Sequence, residues 1–118
     1  MELLTDELKG QLLANGRQQA AVRGTDAEID FFPVVKLFTP DAGATWLLTE
    51  IDPDAPDLAF GLCDLGLGFP ELGSVSLSEL AALRGRLGLP VERDLYFVAR
   101  KPLSTYAREA SEAGHIRA

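Results

Sequence analysis

Val34-Val35-Lys36-Leu37-Phe38-Thr39-Pro40-Asp41-Ala42-Gly43-Ala44-Thr45-Trp46-Leu47-Leu48-Thr49-Glu50-Ile51 holds two β-rich runs separated by Pro-Asp-Ala-Gly. β-branched and aromatic residues favour strands, and Pro, Asp and Gly supply turn geometry. A connection this short joins antiparallel neighbours. The stretch therefore predicts a hairpin of Pro33–Thr39 with Thr45–Ile51, turning at 40–44, with Phe38 opposite Trp46 and Leu37 opposite Leu47. A third strand follows at Leu58–Leu65, beyond Asp52-Pro53-Asp54-Ala55-Pro56-Asp57, whose prolines suit neither regular element. Pairing strands two and three puts Ile51 opposite Leu58, Trp46 opposite Cys63 and Thr45 opposite Asp64.

That register sorts side chains by face, because successive residues alternate. One face holds Leu37, Leu47, Ile51, Leu58, Phe60 and Leu62, the expected core. The other holds Phe38, Trp46, Leu48, Ala59, Gly61 and Cys63, where small residues leave the indole room to lie on the sheet. Two half-apolar faces call for helices or loops on both sides.

Outside the hairpin, Leu3, Leu4, Leu8 and Leu12 recur at helical spacing, with Thr5 or Asp6 as cap and Gly16 as stop, giving a helix at about 5–15. Residues 16–30 read as polar and without period, either a mobile connection or a loop ordered only by tertiary contact. Gly66, Gly68 and Pro70 break strand three, and Leu72–Val75 forms a short fourth. Ser76 and Glu79 have capping-box spacing, and Val75 and Leu80 take the staple positions. Leu80, Leu83 and Leu87 then supply one apolar stripe, and Gly85 ends the regular turns. Glu92–Ala99 is expected as a fifth strand with Leu95 and Phe97 inward. A final helix starts near Leu103 or Ser104 and carries Tyr106, Ala107 and Ala110. The expected fold is α+β: a small, mostly antiparallel sheet of four to five strands with two to three helices. It forms one domain over 1–118, with 1–30 the N-terminal helix and polar loop and 31–118 the remainder.

The chain has 118 residues, one domain's worth, and its 47% hydrophobic and 25% charged content fits a globular fold. No apolar run is long enough to span a membrane, and no basic patch precedes an apolar stretch at the N-terminus. The single cysteine, Cys63, allows no intrachain disulfide. These features point to the cytoplasm. The net charge of −7 argues against direct nucleic-acid binding. Its distribution is uneven. Residues 37–83 contain Asp41, Glu50, Asp52, Asp54, Asp57, Asp64, Glu71 and Glu79 and no base, whereas the rest of the chain sets 11 bases against 10 acids.

Candidate binding residues fall within that acidic stretch. Asp52, Asp54 and Asp57 could hold Ca²⁺ or Mg²⁺, although Leu58 stands where an EF-hand loop needs glycine. The competing reading is a proline-stiffened, solvated turn. Glu50 and Asp64 interrupt apolar strands, where a carboxylate acts as an acid, a base or a ligand, or simply ends a strand or, in the case of Glu50, pairs with Lys36. Arg93 between two acids suits an anion or a surface ion-pair ladder. Trp46 with Phe38 offers an aromatic platform or plain sheet packing. Cys63 has no nearby histidine, and the sole histidine, His115, lies near the C-terminus, so no triad, zinc site or cofactor is expected. The Gly61–Gly73 stretch lacks any phosphate-loop ending.

The runs Val35–Glu50, Phe60–Gly68, Pro70–Gly73, Ser76–Leu80 and Gly88–Phe97 resemble the small bacterial proteins of the DUF2958 family. The resemblance implies one domain and an origin on plasmids and integrative elements, beside DNA-handling and antirestriction genes. It carries over no catalytic residue. The expected function is a non-enzymatic interaction module whose acidic surface, centred on Glu50, Asp52, Asp54, Asp57, Asp64 and Trp46, meets a basic protein partner. In one form it is a DNA mimic or antirestriction accessory. The alternative is a divalent-metal-binding protein or metal-assisted hydrolase using Asp52, Asp54, Asp57 and Asp64.

Overall fold

Thr5 accepts a hydrogen bond from the Leu8 N–H at 3.1 Å and so starts the first helix, α1 (Asp6–Val22), in a computed structural model that describes residues 2–118. Strands β1 (Val35–Phe38), β2 (Thr45–Ile51), β3 (Leu58–Asp64) and β4 (Glu71–Ser76) follow, then helix α2 (Leu77–Ala82), β5 (Glu92–Arg93) and helix α3 (Leu103–Ala113). The strands form one antiparallel sheet in the order β4-β3-β2-β1-β5. The α+β class and the strand and helix counts are as the sequence predicts.

Two hydrophobic clusters cover the two faces. Leu12 of α1 meets Val35, Leu37, Trp46, Leu48, Ile51 and Ala59 on one. Leu103, Tyr106 and Ala110 of α3 meet Leu47 and Leu62 on the other.

The hairpin register differs from the expected one by a single residue. Thr39 and Ala44 close the turn, through Thr39 N to Ala44 O at 3.0 Å and Ala44 N to Thr39 Oγ1 at 2.9 Å. Leu37 therefore faces Trp46, and Phe38 faces Thr45. A one-residue slip moves a strand's whole side-chain set to the other face, so Leu37 packs with Trp46 and not with Leu47. Trp46 opposite Cys63 and Thr45 opposite Asp64 are as expected. Beyond them the register shifts between Leu48 and Glu50, and Ile51 pairs with Ala59 instead of Leu58. The extra residue is Thr49, whose carbonyl accepts from Asn15 Nδ2 at 2.9 Å. The bulge turns Ile51 to the α1 face and leaves Leu58 exposed.

Three other boundaries move for tertiary reasons. α1 runs on to Val22 because Gly16 is a contact and not a stop: a Cβ there would lie 1.8 Å from the Ile51 carbonyl oxygen. Of the two readings of 16–30, neither holds for 16–22, which are helical, and the loop that follows is ordered by contact, with Gln19 bonded to both the N–H and the C=O of Ile29. α2 stops at Ala82, and the next turn is closed by Asp41, whose Oδ2 accepts from Leu87 N at 2.6 Å and Leu89 N at 3.2 Å. Leu83 and Leu87 consequently point outward and form no stripe with Leu80. β5 is cut to two residues because Asp94 Oδ1 accepts from Tyr96 N at 2.9 Å and turns the chain away. Leu95 is therefore exposed and only Phe97 packs inward. Among the described residues, no helix is long and apolar enough to cross a membrane.

Candidate interaction surface

Most of the expected carboxylates have hydrogen-bond partners of their own. Asp52 Oδ1 accepts from Asp54 N at 2.8 Å, a local turn. Asp57 accepts from Ser76 Oγ at 2.6 Å and from the N–H and hydroxyl of Ser78, both at 2.9 Å. Those hydrogen bonds hold its carboxyl below the usual value, so it stays ionised. Asp64 is buried, and its two oxygens accept from Gly66 N at 2.8 Å and Ile116 N at 3.0 Å, tying the C-terminal segment to the end of β3.

Glu50 is also buried, and burial raises its pKa against the pull of the Thr49 hydroxyl and Arg23. Its ion-pair partner is Arg23, at 3.6 Å, and not Lys36, which reaches Asp94 at 3.6 Å. The loop after α1 brings Arg23 to the strand, a placement no local pattern encodes. Only Asp54, of the six candidates, is left exposed without such a bond among those described. No group of three His, Cys, Asp or Glu among the described residues could hold a metal ion.

The remaining candidates have structural roles. Trp46 is buried in the α1-side core. Cys63 lies half-buried beside it, and burial pushes its thiol up to about 11, far from thiolate chemistry at neutral pH. Arg93 donates to the carbonyls of Glu2 and Leu3 at 3.1 and 2.8 Å, fastening the N-terminal segment. His115 is exposed, with Nδ1 3.2 Å from the Ala113 carbonyl.

The surface that stands out is apolar. Between β3 and β4, Leu65-Gly66-Leu67-Gly68-Phe69 forms a tongue in which Gly66 and Gly68 have φ near +80 and +89°. Those left-handed positions suit glycine, and the side chains next to them face outward: Leu67 is 73% and Phe69 80% exposed. Leu65 and Leu72 are exposed beside them. At its base, a groove of about 300 Å³ is lined by Trp46, Cys63, Leu65, Phe69, Leu72 and Val75, with Glu71 as its only charged side chain. Clustered apolar exposure of this kind marks interaction sites. The sequence signal was present as apolar residues alternating with glycines, but it reads as a strand break. A second exposed group, Leu95, Tyr96 and Val98, lies close to Arg100, Lys101 and Arg117.

A family model described as "Protein of unknown function (DUF2958)" matches residues 3–117. The chain belongs to the DUF2958 family. Comparisons with curated proteins and with solved structures find no match. For this DUF2958 member, the tongue and the acidic stretch around it lie wholly within the matched region.

Proposed function

We propose that this protein is a non-enzymatic interaction module of a mobile-element type, which binds a basic partner protein and does not contact nucleic acid directly. The observation that carries the reading is the exposed Leu65, Leu67, Phe69 and Leu72 surface, set in a segment, residues 37–83, with eight acids and no base. Apolar side chains drive association, each contributing about 1.5–3 kcal/mol when fully buried. The surrounding negative potential selects and speeds encounter with a basic surface.

The stricter form, a DNA mimic that blocks a restriction protein, draws less support. Asp41, Asp52, Asp57 and Asp64 bond backbone N–H groups, and Glu50 is buried, so most of these carboxylates are engaged in internal contacts. Holding a divalent metal draws none from the geometry.

Retention of proteins from an extract of the native host tests the reading. A basic protein is retained at low salt and released as salt rises, because exposed charges are screened. Glu71→Lys, which reverses the charge in the groove, weakens that retention. Retention indifferent to both salt and Glu71→Lys contradicts the reading.

A further inference from the structure

Among the described residues, β4 is the one long free edge of the sheet. β5, at the other end, spans two residues, whereas β4 spans six and has a neighbour on one side only. Natural edges are blunted by lysine, proline or bulges within the strand. Glu71-Leu72-Gly73-Ser74-Val75-Ser76 has no lysine or proline, and its pairing with β3 runs without a shift.

The hydrogen-bond phase shows which groups are free. Leu77 N donates to Asp57 O at 2.8 Å, continuing the register in which Leu58 faces Ser76. Hydrogen-bonded pairs recur at every second residue of an antiparallel ladder. Glu71, Gly73 and Val75 therefore bond inward to β3, and the N–H and C=O groups of Leu72 and Ser74 and the N–H of Ser76 point outward, while the Ser76 carbonyl, at the N-cap of α2, turns into the helix.

The surroundings of that edge have a definite chemistry. The groove beside it is apolar, from Trp46, Leu65, Phe69 and Val75. Carboxylates stand at both ends of the strand, Glu71 at its start and Asp57 against Ser76 at its finish. A second copy of this chain would bring the same acids and a charge of −7 against its own.

We propose that the partner docks as an added β-strand along β4: an extended segment with apolar and basic residues in alternation, its backbone paired to Leu72, Ser74 and Ser76 and its apolar side chains in the tongue groove. This rests on the interaction reading above and names its mode. Strand addition draws affinity from main-chain bonds and specificity from alternate side chains.

Amide exchange by NMR tests it, with a synthetic peptide of alternating lysine and valine as the probe and its glutamate–valine counterpart as control. The basic peptide slows exchange at Leu72, Ser74 and Ser76 by tenfold or more, and the acidic one does not. Ser74→Pro removes one outward N–H, which an edge strand tolerates, so the protein stays folded and binds the basic peptide about tenfold more weakly. Binding without protection at those three amides overturns strand addition while leaving the interaction reading intact. So does equal protection by both peptides. Protection that grows with protein concentration in the absence of peptide assigns the edge to a second copy and overturns the proposal.

Discussion

Asp41, Asp52, Asp57 and Asp64 share a role that the sequence hides: each aims an oxygen at a backbone N–H and holds a turn or a chain end in place. An acid-rich segment reads as a ligand surface because charge is visible in a sequence and its hydrogen-bond partner is not. The partners of Asp41 and Asp64 lie 46 and 52 residues away, beyond any local pattern. Glu50 differs, because its partners only partly offset its burial. Its folded pKa lies above the ordinary 4.5, so the folded state binds the extra proton. Stability is therefore highest below 4.5 with respect to this group and falls as pH rises through the folded value. Glu50→Gln removes that slope. Chemical denaturation at intervals from pH 4 to pH 8 checks it, and an unchanged slope in the variant contradicts the assignment.

Elements whose signals are local match their expected form, and elements decided by contact do not. The α2 start is local: the Ser76 hydroxyl accepts from Glu79 N at 3.2 Å, at the expected position. The α1 end and the β5 length depend on neighbours that a single sequence does not locate. Gly16 and Gly10 illustrate the difference within one helix. Both would gain about 1 kcal/mol of helix propensity as alanine. A Cβ on Gly10 meets nothing within 4 Å, whereas one on Gly16 meets the β2 backbone at 1.8 Å. Forcing helix and sheet apart costs about 1–3 kcal/mol or more, so the clash outweighs the propensity. Gly10→Ala raises the urea midpoint and Gly16→Ala lowers it. A rise in both would mean that α1 does not seat on Ile51. The hairpin shows the same limit, since the turn residues were legible but the one-residue register was set by how Thr39 and Ala44 close it.

Across the whole molecule, folding leaves an apolar tongue and a bare strand edge together on the side of the sheet that carries no basic residue from its own strands or turns. The acidic middle third was legible as a location. Its division into internal fastenings and an apolar, acid-flanked surface was not, because that division depends on which side chains the tertiary structure occupies. The central claim is that Leu67 and Phe69 serve binding and not folding. It is tested most directly by comparing the Leu67→Ser/Phe69→Ser variant with the wild type for retention of the native-host partner, with thermal unfolding followed on the same samples. Substitutions at such exposed positions change stability by about 0.5 kcal/mol or less. The account predicts an unchanged unfolding midpoint and lost retention. Full retention by the folded variant would contradict it.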